Sequence, residues 1–137
     1  MRPLSSLTAV GLESLFLASN KITAIESLNA FPHLKLLELG FNRIRCIENI
    51  GHLERLEELW LGRNRIPKIE NLTPLANLKK LSLQSNRLAS MQGSLLIRSF
   101  VRALPEVPSG LEECIGLEEV YLSHNGITRL EVHHRLC

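Results

Sequence analysis

Asparagine recurs at Asn20, Asn42, Asn64 and Asn86, at a constant step of 22 residues. Behind each of the first three, apolar residues stand at offsets 2, 5, 8, 11, 14, 17 and 19. After Asn42 these are Ile44, Ile47, Ile50, Leu53, Leu56, Leu59 and Leu61, and after Asn64 they are Ile66, Ile69, Leu72, Leu75, Leu78, Leu81 and Leu83. The unit that follows Asn20 fills the same places with Ile22, Ile25, Leu28, Phe31, Leu34, Leu37 and Leu39. A unit this short cannot bury its own hydrophobic face, so units must stack and share one continuous core. That excludes most globular architectures at once.

Within each unit the order L-x-x-L-x-L-x-x-N-x-I is that of a leucine-rich repeat. In "LKLLELGFN" the alternation of Leu37 and Leu39 has the period of two of a strand, which turns Glu38 to the opposite face. The remainder, such as "IRCIENIGHLERL", places apolar residues at every third position, a spacing that suits a 3₁₀ or extended return better than an α-helix. The expected fold is therefore an α/β repeat, a solenoid of about five repeats. Short parallel strands should line its concave face and 3₁₀ or extended returns its convex face. Asn20, Asn42, Asn64, Asn86 and Asn125 should form a structural ladder, because their amides can bond backbone groups that no regular sheet satisfies at the turn.

The period breaks once inside the chain. Asn125 follows Asn86 by 39 residues, one step plus 17, and the surplus is best placed at "GSLLIRSFVRALPEVPS". This divides the chain into an irregular segment 1–11, repeats over 12–92, an insertion at 93–109, a last repeat at 110–131 and a tail at 132–137. Apolar Leu96, Phe100, Val101 and Leu104 have helical spacing. Even so, the insertion reads as a tolerated bulge, since doubling a loop costs only ~0.6 kcal/mol in closure entropy. Neither end shows the polar-faced cap that solenoids use, so the chain reads as the middle of a longer array.

Composition narrows the function classes. The net charge of +2 and the absence of any Lys/Arg run give no call for nucleic acid. The longest apolar run falls far short of the ~20 residues that span a bilayer, and "MRPLSSLTAVG" lacks the apolar stretch of a secretory signal. Cys46, Cys114 and Cys137 form no C-x-x-C, which suits a reducing compartment, the nucleus and cytoplasm. No metal or cofactor motif and no catalytic constellation occurs. His133 and His134 are adjacent and point apart on an extended chain, a poor arrangement for one metal. The expectation is a non-catalytic interaction module with no cofactor.

The wording around the repeat is more specific than its period. "LESLFLASNKIT", "LELGFNRIRCIENI", "LSLQSNRL" and "LEEVYLSHNGI" resemble the repeats of the protein phosphatase 1 regulatory subunit 7 family over residues 11–92 and 110–131. The resemblance implies binding of the catalytic subunit of protein phosphatase 1 by the concave face, through the residue between the two strand leucines. Here that column is Phe16, Glu38, Trp60, Ser82 and Tyr121. The first three are the stronger candidates; aromatic residues beside a carboxylate also make a plausible hot spot on physical grounds. Two alternatives stand beside this reading: a module of a related ciliary or cytoskeletal leucine-rich-repeat family, or a truncated product that folds poorly.

Overall fold

Alternation dictates the strands. In the computed structural model, which describes residues 11–89 and 117–126, five three-residue strands form: β1 (Ser14–Phe16), β2 (Leu36–Glu38), β3 (Glu58–Trp60), β4 (Lys80–Ser82) and β5 (Glu119–Tyr121). They pair in parallel in chain order, β1-β2-β3-β4-β5. The register aligns Leu15, Leu37, Leu59, Leu81 and Val120 in one row and Phe16, Glu38, Trp60, Ser82 and Tyr121 in another. In each strand the middle residue turns inward and its neighbours outward, so Leu37, Leu59 and Leu81 are buried completely. Successive strands are 22 residues apart until β5, which pairs Glu119 with Lys80 across the longer step. The proposed insertion at 93–109 lies outside the described residues.

Three complete turns of the coil and the strands of two more lie within the described residues. Their core is one continuous apolar column, from Ile25 and Leu28 to Leu88 and Leu117. The returns are built from successive i→i+3 bonds. Leu53 N–H reaches Ile50 O at 2.9 Å, and Leu56 N–H reaches Leu53 O at 3.0 Å. The same pair recurs one turn later, from Leu75 to Leu72 and from Leu78 to Leu75. The first turn winds this into a short 3₁₀ helix, Leu28–Ala30. Three residues per turn brings each apolar third residue back to the same face, which is why the sequence spacing and this geometry agree.

Asparagines close the coil at both bends. Asn64 Nδ2 donates to Leu39 O (2.9 Å) and Leu61 O (3.1 Å), and its Oδ1 accepts from Ile44 N–H at 3.0 Å. Asn42 repeats the pattern with Leu17 O, Leu39 O and Ile22 N–H, and Asn86 with Leu61 O, Leu83 O and Ile66 N–H. Asn125 bonds Leu83 O and Leu122 O and accepts from the N–H groups of Asn86 and Leu88. Asn20, exposed on the first described turn, bonds only Leu17 O and Ala18 O among the described residues. A second ladder stands at the other bend: Asn49 Nδ2 donates to Ile25 O at 2.8 Å and Asn71 Nδ2 to Ile47 O at 2.7 Å.

Both bends require left-handed backbone. Ser19, Phe41, Arg63, Ser85 and His124 take φ between 54° and 59° just before each closing asparagine. Ser27, Asn49 and Asn71 do so at the second bend, with φ between 56° and 60°. For Asn this conformation is inexpensive; for Phe41 it is a real cost.

Candidate functional site

The outward row of the sheet splits into two environments. On its first strands, Phe16 is 68% exposed and Leu36 and Glu38 are half-buried. Glu38 folds back on its own chain, where Oε1 accepts the N–H of Gly40 at 2.6 Å. A Cβ at position 40 would lie 2.6 Å from that oxygen, so the glycine makes the approach possible. The carboxylate is thereby held over the sheet with its second oxygen left for another donor.

From β3 to β5 the side chains form one network. Trp60 Nε1 donates to Glu58 Oε2 at 3.0 Å, and the Tyr121 hydroxyl donates to Glu119 Oε2 at 2.6 Å. Lys80 stands between the two glutamates, 4.0 Å from Glu58 and 3.7 Å from Glu119. The Trp60 and Tyr121 rings stack with centroids 5.9 Å apart and planes at 25°, although a whole strand separates their backbones. They meet because Ser82, between them in register, is small; it is 3% exposed. Ser82 therefore supplies space to the rings rather than area to a partner. The bond to Glu119 and the charge it carries hold the Tyr121 hydroxyl above its ordinary pKa of 10.0.

Of the five residues in the column, Phe16, Glu38 and Trp60 stand side by side, Tyr121 joins Trp60 through the stack, and Ser82 lies beneath. The result is an aromatic platform fixed by hydrogen bonds to Glu58 and Glu119, with an exposed phenyl ring and an oriented carboxylate beside it. Preorganised aromatic surface of this kind binds with little loss of side-chain entropy.

The strand edge that precedes this face is electrostatically closed. Glu13, Lys35, Glu57, Lys79 and Glu118 alternate in sign across the turns, with Glu13–Lys35 at 2.9 Å and Glu57–Lys79 at 2.7 Å. The bond to Lys79 and its charge hold Glu57 below the usual carboxylate range, and Glu57 in turn raises Lys79. Both groups are exposed, so these pairs set register more than stability. Phe41, 55% exposed on the opposite edge with the Arg63 guanidinium 4.8 Å over its ring, is a feature that sequence spacing missed. Its signal was an aromatic residue at the position held by Ser19 and Ser85 in other turns.

Stacked parallel strands, one apolar column and closing asparagines define a leucine-rich-repeat solenoid, a class that serves generally as a protein-interaction scaffold. A family model described as Leucine Rich repeats (2 copies) matches residues 10–53. Among solved structures, an internalin of Listeria monocytogenes is similar over 90% of this chain and 33% of its own, with TM-score 0.68 and 28% identity. A leucine-rich-repeat protein of Leptospira interrogans has TM-score 0.69 and 27% identity over 88% of this chain and 27% of its own. A chain of the Drosophila melanogaster SNF/U2A′ complex has TM-score 0.64 and 29% identity over 84% of this chain and 60% of its own. This chain therefore spans less than two thirds of each of these structures. No curated protein matches the sequence.

Proposed function

We propose that the protein is a non-catalytic regulatory module that holds the catalytic subunit of protein phosphatase 1 against its concave face, in the nucleus and cytoplasm. The observation that carries this reading is the contiguous row Phe16, Glu38 and Trp60 on the outward side of a buried leucine sheet. The likeness of "LELGFNRIRCIENI" and its neighbours to the phosphatase regulatory family supports the choice of partner. Trp60 is the anchor at the centre of the row, Phe16 extends the apolar area, and Glu38 offers a positioned acceptor.

Affinity capture tests it. Immobilised full-length chain should retain purified phosphatase catalytic subunit, and Phe16→Ala/Trp60→Ala should lose most of that retention. Equal retention by the variant, or none by the wild type, refutes the reading. A second reading follows from the likeness to a chain of the SNF/U2A′ complex: the same face would take a partner of the SNF kind. Parallel capture with that protein decides between them.

A further inference from the structure

The edge that follows the strands carries a row of like charge. Lys21, Arg43, Arg65 and Arg87 each stand directly after a closing asparagine, one turn apart. Each lies between a closing asparagine and a buried or half-buried isoleucine or leucine, and its own side chain is exposed at Lys21, Arg43 and Arg87 and half-buried at Arg65. Backbone bonds fix the alignment: Arg43 N–H to Ile22 O at 2.8 Å, Arg65 N–H to Ile44 O at 2.9 Å and Arg87 N–H to Ile66 O at 2.9 Å. Successive cations are thus about one strand spacing apart, ~4.8 Å at the backbone.

Among the described residues none of the four forms an ion pair, and neither does Arg63 beside them. The acidic row farther along each turn, Glu26, Glu48 and Glu70, pairs Glu70 with Lys68 at 3.5 Å and leaves the arginines alone. The contrast within this one chain is informative. On the preceding edge, Glu13, Lys35, Glu57, Lys79 and Glu118 alternate, so neighbours attract. On the following edge they do not alternate, and every neighbour repels. On the same edge Phe41 adds a left-handed, 55% exposed aromatic ring that the core does not use.

We propose that the row Lys21, Arg43, Arg65 and Arg87 is a second docking surface, which takes an extended, carboxylate-rich polypeptide segment laid across the turns. Charge complementarity selects the chemistry: the three guanidinium groups match carboxylates in bidentate fashion, and the Lys21 ammonium adds a fourth positive charge. The neighbouring concave face selects the size. Glu38, Glu58 and Glu119 outnumber Lys80 on it, so a broad polyanion such as a nucleic acid would be repelled where a single strand of polypeptide on the edge would not. The surface is separate from the Phe16–Trp60 row and stands whether or not the phosphatase is the partner there.

The test is fluorescence anisotropy with a dye-labelled oligoglutamate peptide on the full chain, at low and at high salt. The wild type should bind, and salt should weaken the complex strongly, since exposed charges are screened. Arg43→Gln/Arg65→Gln should weaken it about tenfold or more, whereas Lys35→Gln/Lys79→Gln, which removes the same charge from the opposite edge, should leave it unchanged. Circular dichroism melts of both variants confirm that folded proteins are compared. Absence of oligoglutamate binding, or equal loss in the two variants, overturns the proposal. Tighter binding of a single-stranded oligonucleotide of equal charge overturns the choice of a polypeptide.

Discussion

Asn64→Ala isolates the closing ladder, and the structure determines how much it should cost. Asn64 is 7% exposed, donates to Leu39 O and Leu61 O, and accepts from Ile44 N–H. The two carbonyls do not lose everything. Leu39 O still accepts from Asn42 Nδ2 at 2.9 Å, and Leu61 O still accepts from Asn86 Nδ2 at 2.9 Å. Ile44 N–H loses its asparagine acceptor in a buried site, so the substitution should cost about 1–3 kcal/mol rather than three times that. At this chain length that is a fall in melting temperature of roughly 3–10 °C. Asn20→Ala removes two exposed bonds from a group that, among the described residues, accepts no N–H from an adjoining turn, and should cost less than about 0.5 kcal/mol. Asn64→Asp should be worse than alanine, because a carboxylate keeps the acceptor but faces the carbonyls without a donor. Thermal unfolding of the three variants by circular dichroism is the assay. Equal shifts for positions 20 and 64 would refute the ladder as a stabilising device.

Tyr121 is the single tyrosine, so tyrosinate absorbance titrates it alone. Its pKa should lie above 10.0 and fall in Glu119→Gln; because the folded value is raised, its contribution is whole below about pH 10 and disappears as pH climbs through the folded value. Phe41→Asn should melt at the same temperature as wild type or slightly higher, since relief of left-handed strain worth about 1 kcal/mol offsets the lost contact with Arg63. A drop of several degrees would show that the Phe41 ring packs as part of the fold.

Burial made the fold legible. Leu37, Leu59 and Leu81 are confined to one residue type because each fills the same closed space one turn apart, so their spacing alone carries the architecture. The second asparagine ladder was present in the sequence at the same step, at Asn49 and Asn71, but Ser27 takes the first turn's place. With only two members, one directly before Ile50 and the other directly before Leu72, it is masked by the apolar period around it. The column at the outward face was legible as a column. Its internal chemistry was not, because the Trp60–Tyr121 stack depends on ring orientation across an intervening strand. The basic row escaped for a similar reason: it contains no run of cations, and only stacking at a step of 22 residues brings Lys21, Arg43 and Arg65 together.

Trp60, the last residue of β3, and Leu61, which directly follows it, divide recognition from stability between neighbouring positions. Leu61 is buried completely, so Leu61→Ala should cost about 2–5 kcal/mol. Trp60 is half-buried on the outward face, and Trp60→Ala forfeits the Tyr121 stack and the Glu58 bond, about 1 kcal/mol. Truncating an interface tryptophan costs at least ~2 kcal/mol of binding, roughly thirtyfold in affinity. The measurement is calorimetric titration of each variant with the phosphatase catalytic subunit, at a temperature where both are folded, beside its melting curve. Leu61→Ala should lose stability yet keep its affinity per folded molecule, while Trp60→Ala should lose affinity and melt near wild type. A Trp60→Ala protein that melts like Leu61→Ala and still binds with wild-type affinity would contradict that division.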